Sequence, residues 1–405
     1  MTALIRSEMA LRSFSRTSLA NCALDLPALI RFKSSSPRYT PIVDALPSLV
    51  PFVGPEEIQR VRGKPFLVRL GANESTFGPS PAAVKAMSAA ASDVWMYGDP
   101  TSYELRSTIA AKHGISISNV VVGEGVDGLL GITARLLVGP GDTVVTTAGT
   151  YPTLNYFVAG CGGTVHAIPY GADDRHDLDA LVSKAHKMDA KLVYLVNPDN
   201  PSGTWHSGSA IEEMARKLPA GTTLLLDEAY CELGPDDSVP DIKLFNRASV
   251  IRCRTFSKAY GMAGARIGYA IGSEPAIASF DKIRNHFGVG RISQAGALAA
   301  FNDDEYLESI QLKMEIARVG LQSIAIEFGL TPLDSGTNFV TMDCGRDGNF
   351  ARAVLSALHE RDIFVRMPGT APLDRCIRVS CSNGRDLGLF KRALPEALEA
   401  ASRGQ

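Results

Sequence analysis

An α/β fold is expected, with a mostly parallel seven-stranded sheet wrapped by helices and a smaller α+β C-terminal domain. Three observations predict it in this 405-residue chain. From Val120, short apolar runs alternate with amphipathic stretches. Several runs are continuous Val, Leu and Ile, the pattern of strands buried on both faces. After Asp281 a long helical periodicity takes over, and the chain closes on a shorter strand-helix mixture. Strand-helix alternation of this kind builds a parallel sheet between helical layers.

The elements follow in order. Residues 1 to about 38 are basic and serine-rich: Arg6, Arg12, Arg16, Arg31, Lys33 and Arg38 face only Glu8 and Asp25. This leader reads as an organellar transit peptide, a disordered tail or the product of an upstream start codon, and is excluded from the fold. Residues 39–65 form an N-terminal arm expected to pack with the small domain. Residues 66–295 form the large domain. Its seven strands are expected at Val120–Gly123, Thr143–Thr147, Thr164–Pro169, Leu192–Asn197, Thr223–Asp227, Ser249–Arg254 and Ile267–Ile271. Helical stretches such as Asp127–Leu137 and Ser209–Lys217 lie between them. Residues 296–405 form the small domain. It comprises helical periodicity over Gly296–Glu327, a strand at Asn338–Asp343, a helix at Asn349–Arg361, strands at Phe364–Arg366 and Cys376–Ser380, and a helix at Arg385–Ala401.

Composition excludes several classes. Forty-five per cent hydrophobic and 21% charged residues describe a globular chain. Lys+Arg 41 against Asp+Glu 43 leaves no basic footprint for nucleic acid. No run approaches the roughly 18 apolar residues of a membrane span. Seven cysteines without a CxxC pair, and scattered histidines without HExxH, argue for reduced thiols and against a metal site. A cytoplasmic location is expected, or a mitochondrial one if the leader is a transit peptide.

Four segments carry chemistry. Lys258 follows a buried strand in Arg254-Thr-Phe-Ser-Lys-Ala-Tyr260, with Arg266 eight residues on. A lysine at a strand exit in a partly dry site can act as a free amine, although most lysines are solvated surface groups. Asp227 ends the apolar strand Leu224-Leu-Leu-Asp227. Ligands in open α/β sheets bind at the carboxyl ends of strands, and a carboxylate there suits a cationic ring nitrogen, or else caps the next element. Asn197-Pro-Asp-Asn-Pro-Ser-Gly203 is an extended turn that leaves Asn200 as a neutral donor, and by itself is a plain loop. Gly123-Glu-Gly-Val-Asp-Gly128 opens a helix whose amides suit an anion, or is simply a tight turn. It has neither the Lys-Ser/Thr of a P-loop nor the dinucleotide glycine spacing.

Together these segments resemble the fold-type-I aminotransferases of class I/II that depend on pyridoxal 5'-phosphate (PLP), in particular the histidinol-phosphate aminotransferase-like branch. The resemblance runs from about Leu70 to Leu398. It is carried in order by Gly71-Ala-Asn-Glu74, Tyr97-Gly-Asp-Pro100, Gly123–Asp127, Thr150-Tyr-Pro152, Asn200-Pro-Ser-Gly203, Asp227-Glu-Ala-Tyr230, Ser257-Lys258 with Arg266, and Ile377-Arg-Val-Ser380. It implies that Lys258 is the amine that joins the cofactor and later moves a proton. Asp227 would pair with the ring nitrogen, Asn200 and Tyr230 with the ring oxygen, and Tyr151 would stack on the ring. Val126 and Asp127 backbone amides, Ser257 and Arg266 would hold the phosphate, joined by Tyr97 from the other subunit of a homodimer. Arg378 would clamp the substrate carboxylate, with Arg366 and Asn73 as further contributors. Lys258, Asp227 and Tyr230 are the catalytic candidates.

The branch usually has acidic residues where Gly128 and Gly131 stand, threonine at Ser202, and another run at Val379–Asn383. The implied reaction moves an amino group between an amino acid or amino-phosphate and a 2-oxo acid, with glutamate/2-oxoglutarate as the amino couple. An aromatic amino-acid aminotransferase and a PLP-dependent decarboxylase of the same fold are the alternatives. A transcription-regulator half would need an N-terminal DNA-binding helix pair, for which the leader is too short and irregular.

Overall fold

A computed structural model describes residues 37–48 and 53–403. The basic leader therefore lies outside the described residues, except for Pro37 and Arg38. The chain divides into Met1–Thr40 and Pro41–Gln405, and every element below belongs to the second unit.

A short strand β1 (Val68–Arg69) precedes seven longer ones: β2 (Val120–Gly123), β3 (Thr143–Thr147), β4 (Thr164–Ile168), β5 (Leu192–Val196), β6 (Thr223–Asp227), β7 (Val250–Thr255) and β8 (Gly268–Gly272). These seven form one sheet in the order β2-β8-β7-β6-β5-β3-β4. Every pairing is parallel except those of β8 with β2 and β7. The expected seven-stranded, mostly parallel sheet is present, with strand ends moved by about one residue.

The burial of β5 shows why its sequence is continuously apolar. Leu192, Tyr194 and Val196 join one apolar layer with Leu129, Leu130, Leu154 and Val158 from the helices Gly125–Leu137 and Thr153–Gly160. Val193 and Leu195 join the opposite layer with Leu181, Ile211 and Met214 from the helices Leu178–Met188 and Gly208–Lys217. Side chains alternate along a strand, and here both faces are dry. Each such side chain contributes about 1.5–3 kcal/mol by leaving water.

The C-terminal elements include β9 (Thr331–Pro332), β10 (Phe339–Asp343), β11 (Ile363–Phe364) and β12 (Cys376–Ser380). Strands β12, β10 and β9 form an antiparallel sheet in that order. β1 pairs in parallel with β11, so Val68 and Leu70 enter the C-terminal core. Ahead of β1, Arg62 and Lys64 both pair with Asp362.

The helical periodicity over Gly296–Glu327 resolves into two helices, Arg291–Phe301 and Asp304–Glu327. The break has a local cause. The Asp303 carboxylate accepts a hydrogen bond from Tyr306 N at 3.2 Å and caps the second helix. None of the described helices is long and apolar enough to cross a membrane.

Strands β3, β5, β6 and β7 run in one direction, so their carboxyl ends share one edge of the sheet. The loops leaving that edge carry Tyr151, Asn200, Tyr230 and Lys258.

Candidate active site

Asp227 is the last residue of β6 and is 1% exposed. Tyr194 OH donates to its Oδ2 at 2.9 Å and Ala229 N to its Oδ1 at 3.1 Å. The residues directly after it form a turn, so the carboxylate closes that turn rather than capping a helix. Among the described residues it has no ion-pair partner, and burial pushes its pKa up to about 7, with Asp127 and Glu228 adding to the rise. Its neighbour Glu228 shows the contrast. That carboxylate points to the other face and is paired with Arg252 at 2.6 Å and Arg254 at 2.9 Å. One buried carboxylate is satisfied within the chain, and the other is held at the strand end without a cation.

Lys258 lies three residues beyond β7, the neighbour of β6. Its Nζ donates to Asn73 O at 3.1 Å and stands 5.6 Å from the centre of the Tyr230 ring. Burial, then the positive charge of Arg378, lower its pKa to about 8. The neutral amine is then a minor fraction near pH 7, on the order of a tenth, and the major form above about pH 8.

Asn73 organises the pocket's centre. It adopts a left-handed φ of 54°. Its carbonyl accepts from Lys258 and from Asn338 Nδ2 at 2.9 Å, and its Nδ2 donates to Tyr230 OH at 3.1 Å. Its backbone N and Oδ1 both engage Ser380 Oγ, at 3.1 and 3.2 Å. Asn200 Nδ2 donates to the same Tyr230 oxygen at 3.4 Å. With two amide donors on its oxygen, the Tyr230 hydroxyl proton is left to point elsewhere. Burial raises the pKa of that phenol to about 12, so it stays protonated.

Arg378 projects from β12 toward this group, while Ile377 and Val379 pack into the C-terminal core, as strand alternation requires. Its Nη1 donates to Asn200 Oδ1 and its Nη2 to Gly71 O at 3.1 Å. Arg366 bridges it through backbone pairing, and its own Nη2 donates to Val53 O at 2.7 Å. Among the described residues neither guanidinium meets a carboxylate, and both Nε groups are buried without a partner. Burial lowers both pKa values, that of Arg378 to about 10. Two adjacent half-buried cations, each with an unused Nε donor, form a site for an anion.

The third group gathers at the start of the helix Gly125–Leu137. Amides in a helix's first turn have no partner within the helix. Val126 is buried there. The Asp127 side chain accepts from Tyr151 OH at 2.9 Å and pairs with Arg266 Nη2 at 3.2 Å. Arg266 Nη1 reaches Ser257 Oγ at 3.5 Å. Gly125 has φ 75°, and a Cβ there would stand 2.9 Å from Arg266 Nη2. This arrangement brings helix amides, one hydroxyl and one guanidinium together, as an anion requires.

Tyr97 stands apart. It is 78% exposed, with its ring 4.8 Å from that of Phe287 and its carbonyl accepting from Arg291 Nη2 at 2.8 Å. Of the other twelve residues singled out from the sequence, ten are linked to one another by the contacts above, while Asp227 bonds to Tyr194 and Ala229 and Val126 lies in the first turn of the helix Gly125–Leu137. Tyr194 and Asn338 were not singled out, and Ser380 and Gly71 stood within quoted motifs without a role. Tyr194 sits inside an apolar run and reads as core, and the other three act through contacts that cross the chain. The departure at Gly131 has a steric reason, since a Cβ there would meet the Phe157 ring at 3.0 Å.

The sequence profile of the family "Aminotransferase class I and II" matches residues 66–392. Histidinol-phosphate aminotransferase of Moorella thermoacetica is 31% identical over 361 residues, spanning 88% of this chain and 92% of its own. The enzyme of that name from Paramagnetospirillum magneticum is 33% identical over 353 residues, spanning 86% and 96%. The crystal structure of histidinol-phosphate aminotransferase from Sinorhizobium meliloti, in complex with pyridoxal-5'-phosphate, is 47% identical with a TM-score of 0.87, and the match covers 90% of this chain and 99% of that one. The strand-end carboxylate, the lowered lysine and the profile match across most of the sequence agree: the chain belongs to the aminotransferase class I and II family.

Proposed function

We propose that this chain is a PLP-dependent aminotransferase of the histidinol-phosphate aminotransferase type, moving an amino group between an amino-phosphate or amino acid and 2-oxoglutarate. The observation that carries the reading is Asp227, a buried carboxylate without a cation at the sheet's carboxyl edge, on the strand beside the one that leads to Lys258. The donor set fits PLP group by group. Asp227 answers a ring cation, Asn200 and Tyr230 a ring oxygen, and Tyr151 a π-face. The helix start with Ser257 and Arg266 answers a phosphate, and Lys258 an aldehyde.

When bound, PLP supplies the electron sink for the bond broken at the substrate's Cα. The chain's residues do the rest. Lys258, with its pKa near 8, both accepts and returns a proton at Nζ. Asp227, once paired with a cation, is stabilised as the carboxylate and holds the positive charge opposite it. Tyr230 remains a hydrogen-bond donor because burial keeps its proton on. Arg378 and Arg366 bind the substrate's anionic group, and the planar fork of arginine suits carboxylate and phosphate alike. This shared geometry lets one site take glutamate and an amino-phosphate in turn. The active unit is a homodimer in this reading, in which the exposed Tyr97 faces the phosphate end of a partner's pocket.

The test is a half-reaction panel of histidinol phosphate, phenylalanine, tyrosine, arginine, aspartate and glutamate, scored by loss of the bound cofactor's visible band and by pyridoxamine phosphate formation. Histidinol phosphate and glutamate should convert, and Arg378→Lys should raise KM for both while leaving PLP binding unchanged. Release of carbon dioxide without pyridoxamine phosphate would indicate a decarboxylase. Preference for phenylalanine or tyrosine over histidinol phosphate would make the enzyme an aromatic aminotransferase.

A further inference from the structure

We propose that Asp199 is a positioning residue that sets Arg378, the anion-binding arginine, and Tyr151, at the cofactor's ring face, relative to each other through two separable branches. The inference rests on the reading of the pocket given above.

Asp199 is 0% exposed. Its Oδ1 accepts from Thr150 Oγ1 at 2.7 Å and meets His176 Nε2 at 3.1 Å. Its Oδ2 accepts from Tyr170 OH at 2.8 Å, Ser202 Oγ at 2.7 Å and Ser202 N at 3.1 Å. These donors come from loops that follow three different strands, β3, β4 and β5. Burial alone would push this carboxyl up, but His176 and the hydroxyl donors outweigh it and hold the pKa below the ordinary carboxylate range. Asp199 is thus a fixed anion around which loops from three strands are gathered. Unlike Asp227, it is fully partnered within the chain and is left with no part in binding a ligand.

One branch runs to Arg378 by two routes. Asn200 follows Asp199 directly, and its Oδ1 accepts from Arg378 Nη1. The backbone of this loop is closed by Asp199 N donating to Thr204 O at 2.8 Å and Gly203 N to Asp199 O at 3.1 Å. Tyr170, in turn, packs with Leu333, Leu373 and Cys376. Cys376 is the first residue of β12, two before Arg378. Asp174, four residues beyond Tyr170, pairs with Arg375 at 2.6 Å. The hydroxyl of Tyr170 therefore ties the loop that carries Asn200 to the strand that carries Arg378. The other branch runs through Thr150 to its neighbour Tyr151, whose hydroxyl donates to Asp127 at 2.9 Å. A carboxylate that only stabilised the fold would show no such division between the two ends of the pocket.

The test uses the PLP-loaded enzyme and two conservative variants besides Asp199→Asn. Tyr170→Phe removes one donor and keeps the ring packing. Thr150→Val removes the other donor and keeps the shape. The readouts are the PLP dissociation constant, the dissociation constant of glutarate from its perturbation of the cofactor band, and KM for glutamate. A hydrogen bond to a buried charged group is worth enough to expect shifts of about tenfold. Tyr170→Phe should weaken glutarate and raise KM with PLP affinity within about twofold of wild type. Thr150→Val should weaken PLP with glutarate affinity little changed, and Asp199→Asn should do both. Equal effects of the two single-donor variants on both ligands, or lowered melting temperatures with unchanged binding, would overturn the proposal. A wild-type chain that failed to bind PLP at all would instead overturn the reading of the pocket, and this proposal with it.

Discussion

Asp227 and Lys258 are driven by one effect, burial, toward the neutral form of each. For Asp227 the sign can be followed through. Its pKa in the folded, cofactor-free chain, about 7, lies above the ordinary 3.8. The folded state then holds a proton that the unfolded state releases. The associated stability is complete below about pH 4 and is lost as the pH rises through 7. Asp227→Asn removes this dependence. Without PLP, the variant should be more stable than wild type at pH 8, by on the order of 4 kcal/mol, and the two should converge near pH 4. Urea unfolding across that range measures it, and parallel curves for the two proteins would contradict the unpaired state of Asp227. With PLP bound the order of merit reverses. The neutral amide cannot hold a ring cation, so Cα proton removal should slow by about two orders of magnitude. A near-normal half-reaction rate would count against the assigned role. Asp227, Lys258, Asn200 and Arg378 were legible in the sequence because each sits at or just beyond a strand end, or on a strand face, within a distinctive local pattern. Asp199 and Tyr194 were not, although Asp199 adjoins Asn200 in the same motif. Their partners come from separate strands, and no local pattern records a contact that only the sheet creates.

The strands of the large sheet were legible because burial on both faces writes an unbroken apolar run. The helix break at Asn302–Asp303 was not, because apolar residues continue at helical spacing on both sides and the Asp303 cap is a single side chain. β1 was missed for another reason: two residues carry no periodicity, and only its pairing with β11 makes it a strand. The turn after Lys258 shows how a single backbone position constrains an element. Gly261 has φ 68°, and a Cβ there would stand 2.2 Å from Gly78 O. Its N–H also donates to Lys258 O at 3.1 Å, closing the turn that presents the lysine. Gly261→Ala should cost roughly 1–3 kcal/mol from the backbone conformation alone, and more from the clash. It should also weaken PLP retention, since the lysine's turn must move. An unchanged urea midpoint together with unchanged PLP affinity would contradict this account of the turn.

For the molecule as a whole, the apolar residues Val94, Trp95, Tyr97, Tyr103 and Phe287 are all more than half exposed. The rings of Tyr97 and Phe287 stand 4.8 Å apart, and exposed large apolar side chains that adjoin one another suit an interaction surface. Sedimentation should show a dimer, and Trp95→Glu should give monomers with little activity. A fully active wild-type monomer would contradict the proposed shared site. One lysine near the sheet's carboxyl edge joins the cofactor in this reading, and trapping that bond tests it. The chain is loaded with PLP, treated with borohydride, digested, and the peptides are weighed. A single phosphopyridoxyl group per chain is expected, on the peptide that contains Lys258, and none at that position or elsewhere in Lys258→Ala. A label on another lysine, or an unlabelled chain that still transaminates, would contradict it.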